Sequence, residues 1–310
     1  MKIAIMGTGG VGGYYGGLLA KAGEDVTFIA RGEHLRAIRE RGLQVKSIHG
    51  DFTISPARAT DDPAEVGPVE LVLFCVKTYH TDEAGPAIVP MVGEDTTVLS
   101  LQNGIDNQEK LARFVEEKAV LGGATWIESA ISEPGVIRQG SQFRRIAFGE
   151  LDGSVTPRAE RILETLQKTG ADVTLSTEIM KVLWTKFLFI CGISGITSVT
   201  RSPVADVLNC PETRELFIEA MREIENLARV KGIQLDEDAV EKSLALIEGA
   251  PPTLKSSMQR DLERGSRLEL EALNGTVVRL GQELGVPTPV NRCIYACLKL
   301  HDDKARVASG

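Results

Sequence analysis

The chain has 310 residues, 43% hydrophobic and 25% charged, an ordinary globular composition whose length suggests about two domains. Its 35 Lys and Arg against 43 Asp and Glu give a net charge of −8, which argues against nucleic acid as a partner and leaves any anionic ligand to a local group of cations. Cys75, Cys191, Cys210, Cys293 and Cys297 form no CxxC pair and have no His-rich companion, so they read as reduced thiols of a cytosolic protein with no structural zinc.

No cationic leader precedes the first strand, and the longest apolar run, 187–193, is short of a membrane span, so neither secretion nor insertion is expected. From Met1 to about Leu175, short β-branched runs alternate with helix-like stretches, the pattern of a mostly parallel sheet with crossover helices. Strands are expected at 3–6, 26–30, 71–76, 98–101 and 120–122, with further strands at an edge, 145–149 and 173–175, around a helix at 157–168. After Ser176 the period-two pattern stops, and helices are expected at 178–190, 211–231, 237–247, 254–263, 269–284 and 289–300. In the helix from Pro211, Asn209 or Cys210 can cap the start, Gly232 marks the exit, and Phe217, Met221, Ile224 and Ala228 form a core stripe. The fold class is therefore α/β: a sheet domain at 1–175 followed by an all-helical domain at 176–310.

KIAIMGTGGVGG sets Gly7, Gly9 and Gly12 in a G-x-G-x-x-G frame between an apolar strand and a helix. Gly7 permits the tight turn, Gly9 lets the backbone approach a pyrophosphate, and Gly12 allows close helix-to-strand packing. The helix start then offers free N–H groups to phosphate, with Thr8, Gly10 and Val11 completing the turn. The next strand ends Ile29-Ala30-Arg31, a cation where an NAD-preferring fold usually has an acid, which favours NADP(H); Glu33 two residues on softens that preference.

Polar residues that close apolar strands fall where an open α/β sheet binds ligands, which picks out Lys77 and Asn103. Lys77 could face a phosphate or carboxylate, and Asn103 could donate to a carbonyl or a cofactor amide. Lys186 stands between Trp184 and Phe187 at the entry to FLFICGI, where desolvation would suit an amine to acid chemistry on a carbonyl. Glu269 is expected on a helix face with Leu273, with Asn274-Gly275 interrupting that helix. Ser256 and Ser257 precede a helix start, where a hydroxyl also serves as a cap.

These strings together resemble the ketopantoate reductase (2-dehydropantoate 2-reductase) family over nearly the whole chain: KIAIMGTGGVGG, FIARGEHL, FCVKTYHT, LSLQNGIDN, LWTKF and SSMQRDLERGSRLELEALNG. The resemblance implies an N-terminal Rossmann domain that binds NADPH and an all-α domain that completes the site. It implies Lys186 as the catalytic lysine and Glu269 as the catalytic glutamate, orienting the lysine and touching cofactor and substrate. Asn103 is implied at the substrate and on the nicotinamide side, Lys77 on the cofactor, and Ser257 at the substrate carboxylate. The sequence departs from the family pattern at Ile190, Ser194 and Leu254, where asparagines that contact substrate are common; Ser194 stays a candidate substrate contact. The first expectation is NADPH-dependent reduction of ketopantoate to pantoate, a step toward coenzyme A. The second is reduction of another small 2-oxo acid, favoured by Ile190 and Leu254. A third, a non-catalytic NADP(H) sensor binding a protein partner, has no need of both Lys186 and Glu269. The amphipathic helices after Pro211 can pack within the chain or across a homodimer.

Overall fold

The first strand, β1 (Lys2–Met6), sends Ile3 and Ile5 into one apolar layer and Ala4 and Met6 into another, so helices must cover both faces of its sheet. A computed structural model describes residues 1–309 and divides the chain into two compact units. Met1–Gln102 and Asp106–Ile179 make the first; Asn103–Ile105 and the chain from Met180 onward make the second. The first unit continues with α1 (Gly10–Lys21), β2 (Asp25–Ile29), α2 (Gly32–Arg41), β3 (Leu43–Ser47), β4 (Phe52–Ile54), β5 (Arg58–Thr60), β6 (Val69–Phe74) and α3 (Thr81–Ile88). Then come β7 (Val92–Ser100), α4 (Asn107–Leu111), β8 (Val120–Glu133), β9 (Val136–Gly149), α5 (Pro157–Gln167) and β10 (Asp172–Leu175).

The strands order as β4-β3-β9-β8-β7-β6-β1-β2-β5, with β10 alongside β9. From β5 to β8 neighbouring strands are parallel. Beyond β8 the sheet is mixed: β8–β9 and β3–β4 are antiparallel, while β9 is parallel to β3 and β10. Because β1 pairs with β2 on one side and β6 on the other, strand order reverses at its carboxyl end, the place where such sheets bind ligands.

Two corrections follow. The expected edge strand at 145–149 is not a separate strand but the end of β9, a 14-residue arm of the β8–β9 hairpin, and it lies between β8 and β10, so that β10 is the outer strand there. Short, polar β3, β4 and β5 carry no apolar run and are invisible to the sequence pattern.

The helical unit comprises α6 (Ile179–Thr200), α7 (Val204–Asn209), α8 (Pro211–Val230), α9 (Ala239–Glu248), α10 (Ser257–Glu263), α11 (Asn274–Leu284) and α12 (Pro289–Ser309). The helix expected to end at 190 runs ten residues further as α6, through Gly192 and Gly195, because their missing side chains admit neighbours. A Cβ on Gly192 would stand 2.8 Å from Phe217, and one on Gly195 would stand 2.9 Å from Ile294. At 22 residues α6 is long and apolar enough to cross a membrane, unlike the short run read from sequence. In this fold 72% of its apolar window is buried, with Lys186 inside, as a core helix requires. The α8 stripe of Phe217, Met221, Ile224 and Ala228 is buried as expected. Glu223, also buried, accepts from Val290 N at 2.7 Å and Asn291 N at 3.0 Å, which ties α8 to the start of α12. The five cysteines form no disulfide among the described residues.

Candidate active site

The glycine turn sits at the carboxyl end of β1. Gly7 has φ of +95°, a left-handed conformation, and a Cβ there would lie 2.8 Å from the Val76 backbone N, so this position requires glycine twice over. A Cβ on Gly12 would strike Gly7 O at 2.2 Å, the close approach that brings α1 onto β1. A Cβ on Gly9 meets nothing within 4 Å: the space in front of the α1 N-terminus is open. That space, beside unpaired helix N–H groups at a strand-order reversal, fits the pyrophosphate of a dinucleotide.

Other members of the turn are occupied by the fold. Thr8 is buried, and its N and Oγ1 both donate to Ile29 O, at 3.0 and 2.9 Å, fixing the turn to β2. Gly10 faces the Ser129 backbone of the β8–β9 hairpin, and Val11 packs on the core layer of Ile3 and Ile5. Lys77 follows β6, half-buried at the start of a tight turn. Arg31 stands at the N-cap of α2 and pairs with Glu83 of α3, Nη1 to Oε1 2.5 Å. Its guanidinium holds the Glu83 carboxyl below the usual carboxylate range.

In the helical unit Lys186, Asn103 and Glu269 come together. Lys186 Nζ donates to Asn103 Oδ1 at 3.0 Å, and Asn103 Nδ2 donates to Glu269 Oε2 at 3.3 Å. Since an ammonium only donates and a carboxylate only accepts, these partners fix which end of the Asn103 amide points which way. Lys186 and Glu269 are 8% and 7% exposed, so these are charges in a low-dielectric setting. Burial pushes the Lys186 ammonium down to about 8, against the opposing pull of the Glu269 carboxylate. An amine with that value keeps its proton at neutral pH yet surrenders it readily, the property a general acid needs.

Glu269 is not on a helix, as the sequence pattern suggests, but in the turn before α11, which starts at Asn274. The helical spacing with Leu273 is met for one turn only: Leu273 N donates to Glu269 O at 3.1 Å, but the next bond, Gly275 N to Leu270 O at 2.8 Å, is one residue wider, and Asp302 Oδ1 of α12 accepts from Leu268 N at 2.7 Å. Asp302, which sequence alone does not flag, lies 34 positions from the backbone amide it binds, next to Glu269.

Ser257 is the first residue of α10 and half-buried; its neighbour Ser256 is the cap, accepting from Gln259 N at 3.1 Å and meeting Thr197 Oγ1 at 2.9 Å. Ser194 lies two turns beyond Lys186 on α6, 1% exposed, its Oγ without a hydrogen-bond partner. Ile190, half-buried, stands between them on the same stripe, and Leu254 is half-buried with its carbonyl accepting from Val204 N at 3.0 Å. No group of three or more His, Cys, Asp or Glu suited to a metal occurs among the described residues.

Two domain profiles, described as ketopantoate reductase PanE/ApbA and its C-terminal domain, match residues 3–153 and 178–302. The chain belongs to the ketopantoate reductase family. It is 30% identical to the oxidoreductase YkpB of Bacillus subtilis over 97% of this chain and 99% of that one. It is 29% identical to 2-dehydropantoate 2-reductase of Halobacterium salinarum, over 97% and 98%. A crystal structure of a PanE/ApbA family ketopantoate reductase from Ralstonia eutropha superposes with TM-score 0.91 at 32% identity, covering 99% of this chain and all of that one. This ketopantoate reductase family member is thus an oxidoreductase of mixed α/β fold, with a parallel-dominated N-terminal sheet and a helical C-terminal part.

Proposed function

We propose that the protein reduces ketopantoate to pantoate with NADPH, and that the hydrogen-bonded set Lys186–Asn103–Glu269 carries the acid half of the reaction. The turn of Gly7, Thr8, Gly9, Gly10, Val11 and Gly12 would hold the pyrophosphate, Arg31 the 2′-phosphate, and Lys77 a further anionic group. When bound, the reduced nicotinamide supplies a hydride to the ketone carbon. Lys186 stabilises the charge growing on the carbonyl oxygen, passes its Nζ proton to the alkoxide, and regains a proton from solvent. Asn103 orients the ammonium through its carbonyl and the carboxylate through its amide, while Glu269 keeps the lysine protonated and accepts from a substrate hydroxyl. Ser257 and Ser194 offer donors to the substrate carboxylate.

The observation that carries this reading is a buried lysine brought within one side chain of a buried glutamate from 83 positions away, with its acidity raised by burial. A second reading, reduction of another small 2-oxo acid, is favoured by Ile190: one turn past Lys186, it has no donor for a substrate hydroxyl. Loss of NADPH absorbance with a panel of 2-oxo acids separates the two. Turnover with ketopantoate supports the first, turnover with a different acid alone supports the second, and none with any acid refutes both.

A further inference from the structure

Arg31 follows β2, and Glu83 lies in the first turn of α3, which follows β6. Those strands flank β1, so the ion pair links the two sides of the strand that carries the glycine turn. The Arg31 and Glu83 side chains are 60% and 54% exposed, so a ligand can reach either. The second Glu83 oxygen, Oε2, stands 3.2 Å from His80 Nδ1. Glu33, the acid nearest Arg31 in sequence, is taken by Arg36 at 3.0 Å.

The chemistry of the two nicotinamide dinucleotides differs at one place. A ribose 2′-hydroxyl donates and needs a carboxylate, whereas a 2′-phosphate needs a cation. The end of β2 supplies only the cation, and the carboxylate comes to it from α3. An exposed ion pair holds by at most about a fivefold preference, so a phosphate that meets Arg31 in bidentate fashion displaces Glu83.

We propose that Glu83 is a cofactor-selecting residue: it accepts from the ribose 2′-hydroxyl of NADH and competes with the 2′-phosphate of NADPH for Arg31, so the site takes both dinucleotides. This rests on reading the β1–β2 end as the adenosine-ribose site, and the test is a binding measurement that needs no turnover. Isothermal titration of NADPH, NADH and adenosine 2′,5′-bisphosphate is run on the wild type, Glu83→Gln and Arg31→Gln, with thermal melts to verify folding of these exposed variants. The expected result for Glu83→Gln is tighter NADPH and bisphosphate, by about two- to fivefold, and weaker NADH, by about tenfold. Arg31→Gln should weaken the two phosphate-bearing ligands and spare NADH. Wild type that binds both dinucleotides, with a Glu83→Gln ratio unchanged within about twofold, would overturn the role of Glu83 alone. Wild type that binds neither would overturn the nucleotide site and the proposal with it.

Discussion

The acidity of Lys186 sets a pH dependence whose sign and size follow from the geometry. With a value of about 8, nine-tenths of the lysine is protonated near pH 7 and about one-tenth near pH 9. Reduction needs the proton, so kcat/KM should be level below about pH 8 and fall about tenfold per unit above it. Oxidation of the alcohol needs the neutral amine and should rise through the same range. Replacing Glu269 with Gln tests the cause. Two hydrogen bonds of 3.0 and 3.3 Å and one carboxamide join the charges, which therefore lie no more than about 9 Å apart. At that distance and an effective dielectric of about 20 the attraction is about 2 kcal/mol, or roughly 1.4 pH units. Glu269→Gln should therefore move the descending limb at least about one unit lower. The assay is kcat/KM at saturating NADPH from pH 6 to 10 in buffers of constant ionic strength. An identical limb in both proteins would refute the electrostatic role of Glu269.

The same lysine costs stability. Its folded value, about 8, is below the roughly 10.4 of an unfolded lysine, so the unfolded chain holds more protons between them. The penalty is complete below pH 8, about 3 kcal/mol at most, and is relieved as pH rises toward 10.4. Lys186→Met, which also loses the Asn103 bond, should raise the melting temperature at pH 7 but not at pH 10.5; a lower value at pH 7 would contradict this. Gly9→Leu should leave the melting temperature within about 2 °C, since its Cβ meets nothing within 4 Å, while weakening NADPH at least about tenfold by titration. In contrast, Gly12→Ala should destabilise by about 1–3 kcal/mol in urea unfolding, because the new atom lies 2.2 Å from Gly7 O. Ile190→Asn should raise the kcat/KM ratio of ketopantoate to its analogue without the 4-hydroxyl by about tenfold, as a new donor meets that hydroxyl; an unchanged ratio would place Ile190 away from the substrate.

The parts of this fold that can be read from sequence are those set by neighbours in the chain. The glycine turn is one: strand, Gly7, Gly9, Gly12 and helix all lie within Lys2–Lys21, and the approach of Gly12 to Gly7 O is five positions apart. The α8 stripe is another, because a helix repeats its buried face locally. What fails is set by distant partners. Glu269 looks helical until Asp302, on α12, holds the preceding backbone in a turn. The 145–149 run looks like a short strand of its own until the antiparallel partner β8, about 20 positions earlier, shows it to be the end of the 14-residue β9. Arg31 looks free until Glu83, 52 positions on, meets it. In the helical unit only the structure puts the Asn103 amide between Lys186 and Glu269.

In the proposed reaction Lys186 delivers the proton that completes hydride transfer. Stopped-flow single turnover of NADPH-loaded Lys186→Met against wild type, with NADPH affinity measured on the same samples, tests it most directly. The expected result is nearly equal NADPH affinity and a hydride-transfer rate at least about 10²-fold lower in the variant. Equal rates in the two proteins would contradict it.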